Sequence, residues 1–465
     1  MGYSITRAVI IGAGVMGAGI AAHLANCGLK VLLLDRVPAG LSRADMERGW
    51  REDIPEWRNS IASSNFAHMA SISGPAFISP ASRDNIKFGN MEDNIHEIGA
   101  YDWIIETIME DLEVKACLYA TIELHRRPET IVTTNTSGIP IRQISREFSD
   151  EMAQHFLGTH FFNPTTYIPL VEVIPGPETP AALTDFMVRF LRERLGKRPL
   201  VVRDSPNFIC NRLAVAFFLN VLYWGRERGF TVEEIDALCG RALGRSRGAA
   251  FQTADTIGLD TAALVIRNIW ENAPHDERRA IFVVPDYVQR MIDKNLLGAK
   301  TGQGFYRNTG QENGRQAIDL DALEYRPLVK PDFPCLQAAE QAGNLAGQLQ
   351  AMVWGDDPGS QFAWEILASD LNYAANRLGE IADSVEVIDK AMQWGYAWQL
   401  GPFECWDAIG VERSVERMKK EGLPVARYVE EMLLFGCPSF YIRKLDGARY
   451  YYDFRTYSYR PCQLN

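Results

Sequence analysis

The chain has 465 residues, of which 47% are hydrophobic and 23% are charged, and its formal net charge is −11. This length exceeds what one hydrophobic core usually supports, and the composition is that of a folded globular protein with about three domains. The negative charge argues against nucleic acid as the main partner, because a protein that binds a duplex needs a basic face.

The eight cysteines are scattered singly, with no C-x-x-C pair and none of the short spacings that metal ligands show. This pattern predicts reduced thiols in a cytoplasmic protein and no metal site. The longest apolar stretch, residues 213–224, has only twelve residues and is too short to cross a bilayer, so no membrane span is predicted.

A glycine-rich turn between an apolar strand and a helix is the first motif in the chain. Residues 8–11 are apolar and largely β-branched, as in a buried parallel strand, and Gly12, Gly14 and Gly17 follow before a helical segment. Gly12 permits a tight turn, Gly14 lets the backbone approach a pyrophosphate, and Gly17 allows close packing of helix and strand. The pattern predicts a dinucleotide-binding Rossmann domain.

The second predicted strand, residues 30–34, ends at an acidic residue that bears on the choice of cofactor. Asp35 lies 23 residues after Gly12, where a carboxylate can bind the ribose 2′-hydroxyl and repel a 2′-phosphate. We therefore predict NAD as the cofactor, while the neighbouring Arg36 keeps NADP as the alternative.

Polar residues also follow the next two predicted strands. Strand 103–107 leads into a polar loop and a helix, and strand 130–134 ends at the polar cluster 135–138. The carboxyl ends of parallel strands face the ligand crevice in this fold, so we expect these segments near the cofactor. Ser137 has a plainer alternative role as the cap of the next helix, which is the commoner fate of such a serine.

An imidazole and a carboxylate stand twelve residues apart on either side of an Asn163-Pro164 turn. If their flanks are neighbouring strands, Glu172 can accept a hydrogen bond from one ring nitrogen of His160 and leave the other to take a substrate proton. The alternative is an ordinary core histidine with a surface carboxylate. The pair is thus a candidate general base with the group that orients it.

The second half of the chain is predicted to be helical and contains an internal duplication. The segment 232–236 recurs as 385–389, and each copy stands twelve residues before a glycine and precedes an Asp-x-Ile-Gly segment. The matched anchors lie about 153 residues apart, which indicates a repeated helical unit. The polar, proline-containing stretch between the copies is interpreted as a linker.

Together these motifs closely resemble the L-3-hydroxyacyl-CoA dehydrogenase family of fatty-acid β-oxidation. The resemblance runs from residue 6 to about residue 308. It is carried by G-A-G-V-M-G-A-G at 12–19, E-D-L-E-V-K at 110–115, N-T-S at 135–137, H-F-F-N-P at 160–164, L-V-E-V at 170–173, D-S-P-N-F-I-C-N-R at 204–212 and G-A-K-T-G-Q-G-F-Y at 298–306.

The resemblance implies a fold and a set of site residues. The fold is an α/β Rossmann-type NAD-binding domain followed by two tandem all-α domains of the 6-phosphogluconate-dehydrogenase-like C-terminal type. The expected boundaries are 1–202 for the NAD-binding domain with a helical insertion near 40–82, 203–308 for the first helical domain, 309–335 for the linker and 336–465 for the second helical domain.

In catalysis the resemblance implies that His160 is the general acid/base in the oxidation of L-3-hydroxyacyl-CoA to 3-ketoacyl-CoA, and that Glu172 orients it. Ser137 and Asn211 match positions that hold the substrate oxygen. The residues expected to bind NAD are Gly12, Gly14, Val15, Met16, Gly17, Asp35, Arg36, Glu110, Lys115, Asn163 and Lys300.

The segment 40–82 departs from the family pattern, in which a helical hairpin, often rich in lysine, helps to hold coenzyme A. Here the segment contains no lysine. Its arginines at 43, 48, 51 and 58 can serve the phosphates instead, or they simply form a solvated helix face. For this reason a dehydrogenase that acts on a hydroxy acid without coenzyme A stays an alternative.

Tandem helical domains resemble those of multifunctional fatty-acid oxidation proteins, in which the second copy packs on the first and stands in for a partner subunit. We therefore expect a monomer or a homodimer, and no hydratase domain in this chain. A third alternative is a non-catalytic, crystallin-like NAD-binding protein. The complete set of Ser137, His160, Glu172 and Asn211 argues against that reading.

Overall fold

The computed structural model describes residues 2–74, 76–310, 314–445 and 447–464. The chain divides into two compact units, one ending at Asp204 and one beginning at Ser205. Each unit has its own core and is described separately below.

The first unit is built on an eight-stranded sheet in the order β3-β2-β1-β4-β5-β6-β7-β8. All neighbouring strands are parallel except β6 and β7, which are antiparallel. The strands are β1 (Arg7–Ile11), β2 (Lys30–Asp35), β3 (Ile86–Asn90), β4 (Trp103–Glu106), β5 (Ile131–Thr134), β6 (Phe156–Phe161), β7 (Leu170–Pro175) and β8 (Arg198–Val201).

Helices connect these strands, as the parallel topology requires. They are α1 (Val15–Asn26), α2 (Arg43–Glu47), α3 (Pro55–Arg58), α4 (Ser60–Ser73), α5 (Pro80–Arg83), α6 (Met91–Asn94), α7 (Leu112–His125), α8 (Ile141–Ile144), α9 (Asp150–Ala153) and α10 (Ala181–Glu193). The strand order reverses between β1 and β4, and this switch point is where open α/β sheets bind ligands.

Helices α2 to α5 form the segment between β2 and β3. Among them, α4 packs against α1 and the neighbouring strands through Ala62, Phe66 and Met69, all of which are buried. The Phe66 ring lies 5.4 Å from the rings of both Phe77 and Phe88, measured between centroids. The apolar face of α4 therefore belongs to the core of the first unit.

The second unit is mainly helical. Its helices are α11 (Cys210–Glu227), α12 (Val232–Cys239), α13 (Phe251–Ile257), α14 (Leu259–Asn272), α15 (Asp286–Asp293), α16 (Pro334–Gln341), α17 (Leu345–Val353), α18 (Pro358–Asn376), α19 (Val385–Tyr396), α20 (Pro402–Ile409), α21 (Val411–Lys420) and α22 (Arg427–Leu434). Its strands are β9 (Tyr306–Asn308), β10 (Arg315–Ile318), β11 (Tyr325–Pro327), β12 (Tyr441–Arg443), β13 (Arg449–Asp453) and β14 (Ser458–Pro461).

The internal repeat is visible in the hydrogen bonds of two aspartates. In the first copy, Asp236 accepts hydrogen bonds from the backbone N–H groups at the start of α13 and from the Tyr306 hydroxyl, the latter at 2.9 Å. In the second copy, Asp389 accepts from the start of α20 and from the Tyr441 hydroxyl at 2.8 Å. The same polar contacts hold the same elements together in both copies.

Each copy also ends in a three-stranded antiparallel sheet, β9 to β11 in the first copy and β12 to β14 in the second. Strands β10 and β11 therefore lie within the range 309–335 that was interpreted as a linker. The Val329 N–H donates to the Glu233 carboxylate of α12 at 2.6 Å, which ties this segment to the first copy. Residues 311–313 of that range lie outside the described part of the chain.

Candidate active site

His160 and Glu172 face each other across the only antiparallel pairing in the large sheet of the first unit, as far as the described residues show. Residue 160 of β6 is directly opposite residue 172 of β7, so the two side chains share one face. The His160 Nδ1 atom is 2.7 Å from Glu172 Oε2, and both side chains are buried. A carboxylate only accepts, so this contact assigns the ring proton to Nδ1 and the lone pair of the neutral ring to Nε2.

The position of His160 in the sheet sets this pair apart from an ordinary core contact. His160 is the penultimate residue of β6 and lies at the carboxyl edge of the parallel strands, where this fold binds ligands. The next residue, Phe161, donates its N–H to Asn135 Oδ1 at 2.8 Å, just beyond the end of β5. Asn135 thus fixes the end of the strand that carries His160, a role that the sequence analysis did not assign.

Glu110 organises the loop that contains Ser137. Its carboxylate accepts hydrogen bonds from the Thr136 hydroxyl at 2.8 Å and from the Ser137 N–H at 2.7 Å. The Ser137 hydroxyl lies 3.3 Å from the same carboxylate. The loops after β4 and β5 are therefore joined at this edge, and Ser137 is held there by more than its own backbone.

Lys115 is buried in an ion pair at the end of β4. Its Nζ atom lies 2.6 Å from Glu106 Oε1, and the two side chains are 1% and 0% exposed. Glu106 also accepts from the hydroxyls of Tyr119 at 2.9 Å and Thr134 at 2.6 Å, so the carboxylate is fully engaged. Burial, and then the nearby Glu106 charge, raise the pKa of the Tyr119 phenol far above its ordinary value.

The glycine turn after β1 has the shape that a pyrophosphate needs. A Cβ atom on Gly17 would lie 1.8 Å from the Gly12 carbonyl oxygen, whereas one on Gly14 would meet nothing within 4 Å. Gly12 has a φ of +102°, and the Thr107 hydroxyl donates to its carbonyl at 2.7 Å. Helix α1 begins at Val15 without a side-chain cap or an acidic residue in its first turn, which leaves its N-terminus suited to an anion.

Asp35 ends β2 next to this turn. Its carboxylate accepts from the Ala13 N–H at 2.6 Å and from the Arg36 N–H at 2.8 Å, and the Arg36 side chain is exposed. The residues of the turn and of this strand end therefore fit a dinucleotide. Met16 is half-buried in the first turn of α1, and Asn163 is exposed and joined to Pro164 by a cis peptide bond.

Comparisons with known proteins agree with this geometry. The family model for the NAD-binding domain of 3-hydroxyacyl-CoA dehydrogenase matches residues 7–205, and the model for its C-terminal domain matches residues 208–308. A probable 3-hydroxyacyl-CoA dehydrogenase of Deinococcus radiodurans is 36% identical, and the match covers 67% of this chain and 85% of that protein. The chain belongs to the 3-hydroxyacyl-CoA dehydrogenase family. The family and fold class inferred from the sequence are confirmed.

One further relative and one solved structure match nearly the whole chain. A probable 3-hydroxyacyl-CoA dehydrogenase of Bacillus subtilis is 39% identical over 97% of this chain, which spans only 56% of that relative's length. The solved structure of 3-hydroxybutyryl-CoA dehydrogenase from Escherichia coli covers 93% of this chain and 98% of its own, with a TM-score of 0.65. At 23% identity this second likeness concerns the fold alone.

Two of the predicted site residues of this family member, Asn211 and Lys300, lie in the second unit. Asn211 is in the first turn of α11, where its Oδ1 atom accepts from the Tyr396 hydroxyl at 3.1 Å. Lys300 lies in a short 3-10 turn and forms an ion pair with Asp260, with both side chains partly exposed.

The arginines of the segment 40–82 have acidic or aromatic neighbours. Arg43 pairs with Glu47 at 3.0 Å, Arg51 with Asp53 at 2.9 Å, and Arg58 with both Glu92 and Asp93, while the Arg48 guanidinium lies 5.3 Å from the centroid of the Trp50 ring. Ion pairs at the surface are screened by solvent and contribute little to stability, so these arginines remain able to bind a phosphate. No helix within the described ranges is long and apolar enough to cross a membrane.

Proposed function

We propose that the protein oxidises L-3-hydroxyacyl-CoA to 3-ketoacyl-CoA with NAD, as the names of its relatives suggest. The observation that carries this proposal is the buried His160–Glu172 pair at the carboxyl edge of the sheet, the same edge that carries a turn that fits a dinucleotide. A base that is held by a carboxylate and lies at the ligand edge is what the removal of a hydroxyl proton requires.

His160 accepts the proton of the substrate 3-hydroxyl at Nε2, while its Nδ1–H stays hydrogen-bonded to Glu172. The ring then carries a positive charge, and the Glu172 carboxylate, 0% exposed and 2.7 Å away, stabilises that charge in a site with little water to screen it. Bound NAD would supply the hydride acceptor for carbon 3 of the substrate. In the reverse direction the imidazolium returns the proton to the carbonyl oxygen.

Ser137 and Asn211 are proposed to hold the substrate oxygen through a hydroxyl and an amide. Glu110 supports this role because it fixes the Ser137 backbone N–H at 2.7 Å, while the Ser137 hydroxyl, which donates to the same carboxylate at 3.3 Å, would turn its one proton to the substrate oxygen. A donor whose backbone is already fixed loses little entropy when it binds the substrate oxygen, and this favours the transition state.

The residues proposed to bind NAD belong to two groups. Gly14, Val15, Met16 and Gly17 would present the N-terminus of α1 to the pyrophosphate, and Asp35 would bind the ribose. The other proposed contacts are Arg36, Glu110, Lys115, Asn163 and Lys300. Lys115 forms a buried ion pair with Glu106, and a contact between Lys115 and NAD would have to keep that pair intact.

For the phosphates of coenzyme A, the segment 40–82 offers arginines in place of lysines. A member of the same family that acts on a free hydroxy acid is therefore the second candidate. The two candidates differ in one measurable respect, since only an acyl-CoA enzyme requires the thioester for turnover.

The two helical copies are proposed to pack on each other as two subunits would, so that the chain is active as a monomer. Helix α11 of the first copy packs against α18, its counterpart in the second copy. Next to this contact, the buried Arg245 guanidinium lies 3.3 Å from the centroid of the Trp398 ring, and the Gln399 N–H donates to the Gly244 carbonyl at 2.8 Å. An obligate dimer in sedimentation velocity at nanomolar concentration would contradict this proposal.

Three measurements separate the candidate functions. Oxidation of NADH in the presence of acetoacetyl-CoA supports the proposed reaction, and turnover of a free hydroxy acid without any response to thioesters supports the second candidate. Binding of NADH without turnover of either substrate class would leave a non-catalytic NAD-binding protein.

The base assignment has its own test. His160→Gln should lower kcat by about three orders of magnitude, because general acid–base catalysis contributes on that scale. The dissociation constant of NADH should stay nearly unchanged. A fully active variant would remove His160 from the mechanism.

A further inference from the structure

The first turn of α11 carries the proposed substrate-binding Asn211 and rests on the second helical copy. Three successive side chains of this turn form hydrogen bonds with that copy. The Cys210 thiol donates to the Ala391 carbonyl at 3.1 Å, and Arg212 Nε donates to the Tyr373 hydroxyl at 2.7 Å. Between them, Asn211 Oδ1 accepts from the Tyr396 hydroxyl at 3.1 Å. The backbone of the turn is thus held from its first residue by elements of the duplicate.

The contact with Tyr396 has a consequence for the amide of Asn211. The Tyr396 hydroxyl donates to Asn211 Oδ1 at 3.1 Å, and this contact fixes where the amide lies. With Oδ1 engaged, the Nδ2 hydrogens are directed away from Tyr396 and are the donors that a substrate oxygen needs. Tyr396 therefore restrains the Asn211 side chain that the proposed reaction uses.

Local backbone structure at the end of α19 brings Tyr396 to this place. Tyr396 is the last residue of the helix, and Ala397 follows with a φ of 54°, in the left-handed region that alanine seldom adopts. The chain turns there, and the next residue, Trp398, stacks on the buried Arg245 of the first copy. The stacked pair anchors the turn directly after Tyr396, so the tyrosine is held from both sides.

The first copy has no hydroxyl at the position that corresponds to Tyr396. Counted from the matched segments 232–236 and 385–389, Tyr396 corresponds to Leu243, which is buried and has no hydroxyl. The two copies share their aspartate and tyrosine supports, yet they differ at this position. The hydrogen bond to Asn211 is therefore particular to the second copy.

We infer that Tyr396 is a positioning residue for the dehydrogenase reaction, acting through Asn211 on the substrate oxygen. The inference rests on the proposed function, because it needs Asn211 to contact the substrate. It assigns the second helical copy, which lies beyond residues 208–308 matched by the family model, an effect on turnover through Asn211.

The experiment compares Tyr396→Phe with Tyr441→Phe in the full-length chain. Both variants lose a single phenol hydroxyl of the second copy, but the Tyr441 hydroxyl bonds to Asp389 instead of Asn211. Tyr396→Phe should lower kcat about 5- to 10-fold, the worth of one neutral hydrogen bond, with the KM for NADH unchanged. Tyr441→Phe should lower the melting temperature and leave kcat at the wild-type value.

A double-mutant cycle shows whether the effect passes through Asn211. In the Asn211→Ala background, Tyr396→Phe should lower kcat no further, because the amide that it orients is gone. The same fold loss in both backgrounds, or an unchanged kcat in Tyr396→Phe, would overturn the inference.

A readout without turnover keeps the inference separate from the proposed function. The side-chain amide signal of Asn211 in a ¹⁵N spectrum, assigned by its absence in Asn211→Ala, should shift in Tyr396→Phe and stay in place in Tyr441→Phe. If the wild-type protein turns over no 3-hydroxyacyl-CoA, the proposed function fails, and the amide signal still reports on the positioning. An amide signal that is identical in Tyr396→Phe and wild type refutes the positioning role in either case.

Discussion

Replacing Glu172 by glutamine tests the electrostatic part of the proposed mechanism with the smallest change in shape. The substitution keeps the volume of the side chain and one acceptor oxygen, and it removes the negative charge that lies 2.7 Å from His160 Nδ1. Glu172 is completely buried, so no water screens the charge or takes its place. The carboxylate acts chiefly when the imidazole is protonated, and the loss should therefore fall on kcat.

The size of the loss follows from the kind of hydrogen bond. A bond to a charged group contributes about 1.5–3 kcal/mol, which corresponds to a roughly 10- to 150-fold decrease in kcat for oxidation of L-3-hydroxybutyryl-CoA. The assay is the rise of NADH absorbance under saturating substrate, with NADH affinity measured by fluorescence and the melting temperature by scanning fluorimetry.

Asp102→Asn is the matched control for Glu172→Gln. Asp102 precedes β4 at the opposite edge of the same sheet, where its carboxylate accepts from the Thr6 and Arg7 N–H groups at 2.9 and 3.1 Å. This variant should lower the melting temperature and keep kcat. If Glu172→Gln keeps both the wild-type kcat and the wild-type melting temperature, the idea that the carboxylate stabilises a charged His160 is wrong.

Three further predictions concern the cofactor turn and the second unit. Gly14→Ala should weaken NADH binding at least about tenfold without changing the melting temperature, whereas Gly17→Ala should destabilise the fold by about 3 kcal/mol or more, since its Cβ would meet a carbonyl oxygen at 1.8 Å; equal effects in both variants would contradict the assignment of the turn. Asp35→Ser should raise the dissociation constant of NADH about tenfold and reduce the discrimination against NADPH, as isothermal titration can measure, and an unchanged preference would exclude Asp35 as the ribose ligand. Burial raises the pKa of Asp407 to about 7 despite its hydrogen bonds from backbone N–H groups, so the folded state holds this proton where the unfolded state does not. Its contribution to the free energy of unfolding should therefore fall between about pH 4 and pH 7, by up to about 4 kcal/mol, and urea titrations of Asp407→Asn should lack that part of the pH dependence.

Local sequence patterns predicted the parts of the site that depend on a few consecutive residues. The glycines after β1 and the acid at the end of β2 are such a case, because turn geometry and helix–strand packing constrain residue types at fixed spacing. That His160 and Glu172 lie on neighbouring strands was part of the hypothesis. Their exact register was not, since pairing between strands depends on the whole sheet and a slip of one residue would send the side chains to opposite faces.

Partners that are distant in sequence were beyond local patterns. Nothing near Glu106 indicates that it pairs with Lys115 in the interior, and a charged residue at the end of the apolar run W-I-I-E was the one available signal. Asn135 was seen as part of a polar cluster, but its bond to the Phe161 backbone depends on β5 and β6 lying side by side. Strands β10 and β11 lie in the range interpreted as a linker, because short, polar strands carry little hydrophobic periodicity.

The sequence by itself determined the family, the Rossmann order of strand, glycine turn, helix and acid, and the duplication of the helical unit. These features depend on contiguous residues whose types are restricted by backbone geometry and by chemistry. Only the tertiary structure decided that His160 and Glu172 stand opposite each other within hydrogen-bonding distance, and that Tyr396 of the second copy reaches Asn211 of the first. Such contacts are set by strand register and by helix packing, which minimise the free energy of the whole unit and leave no local mark in the chain.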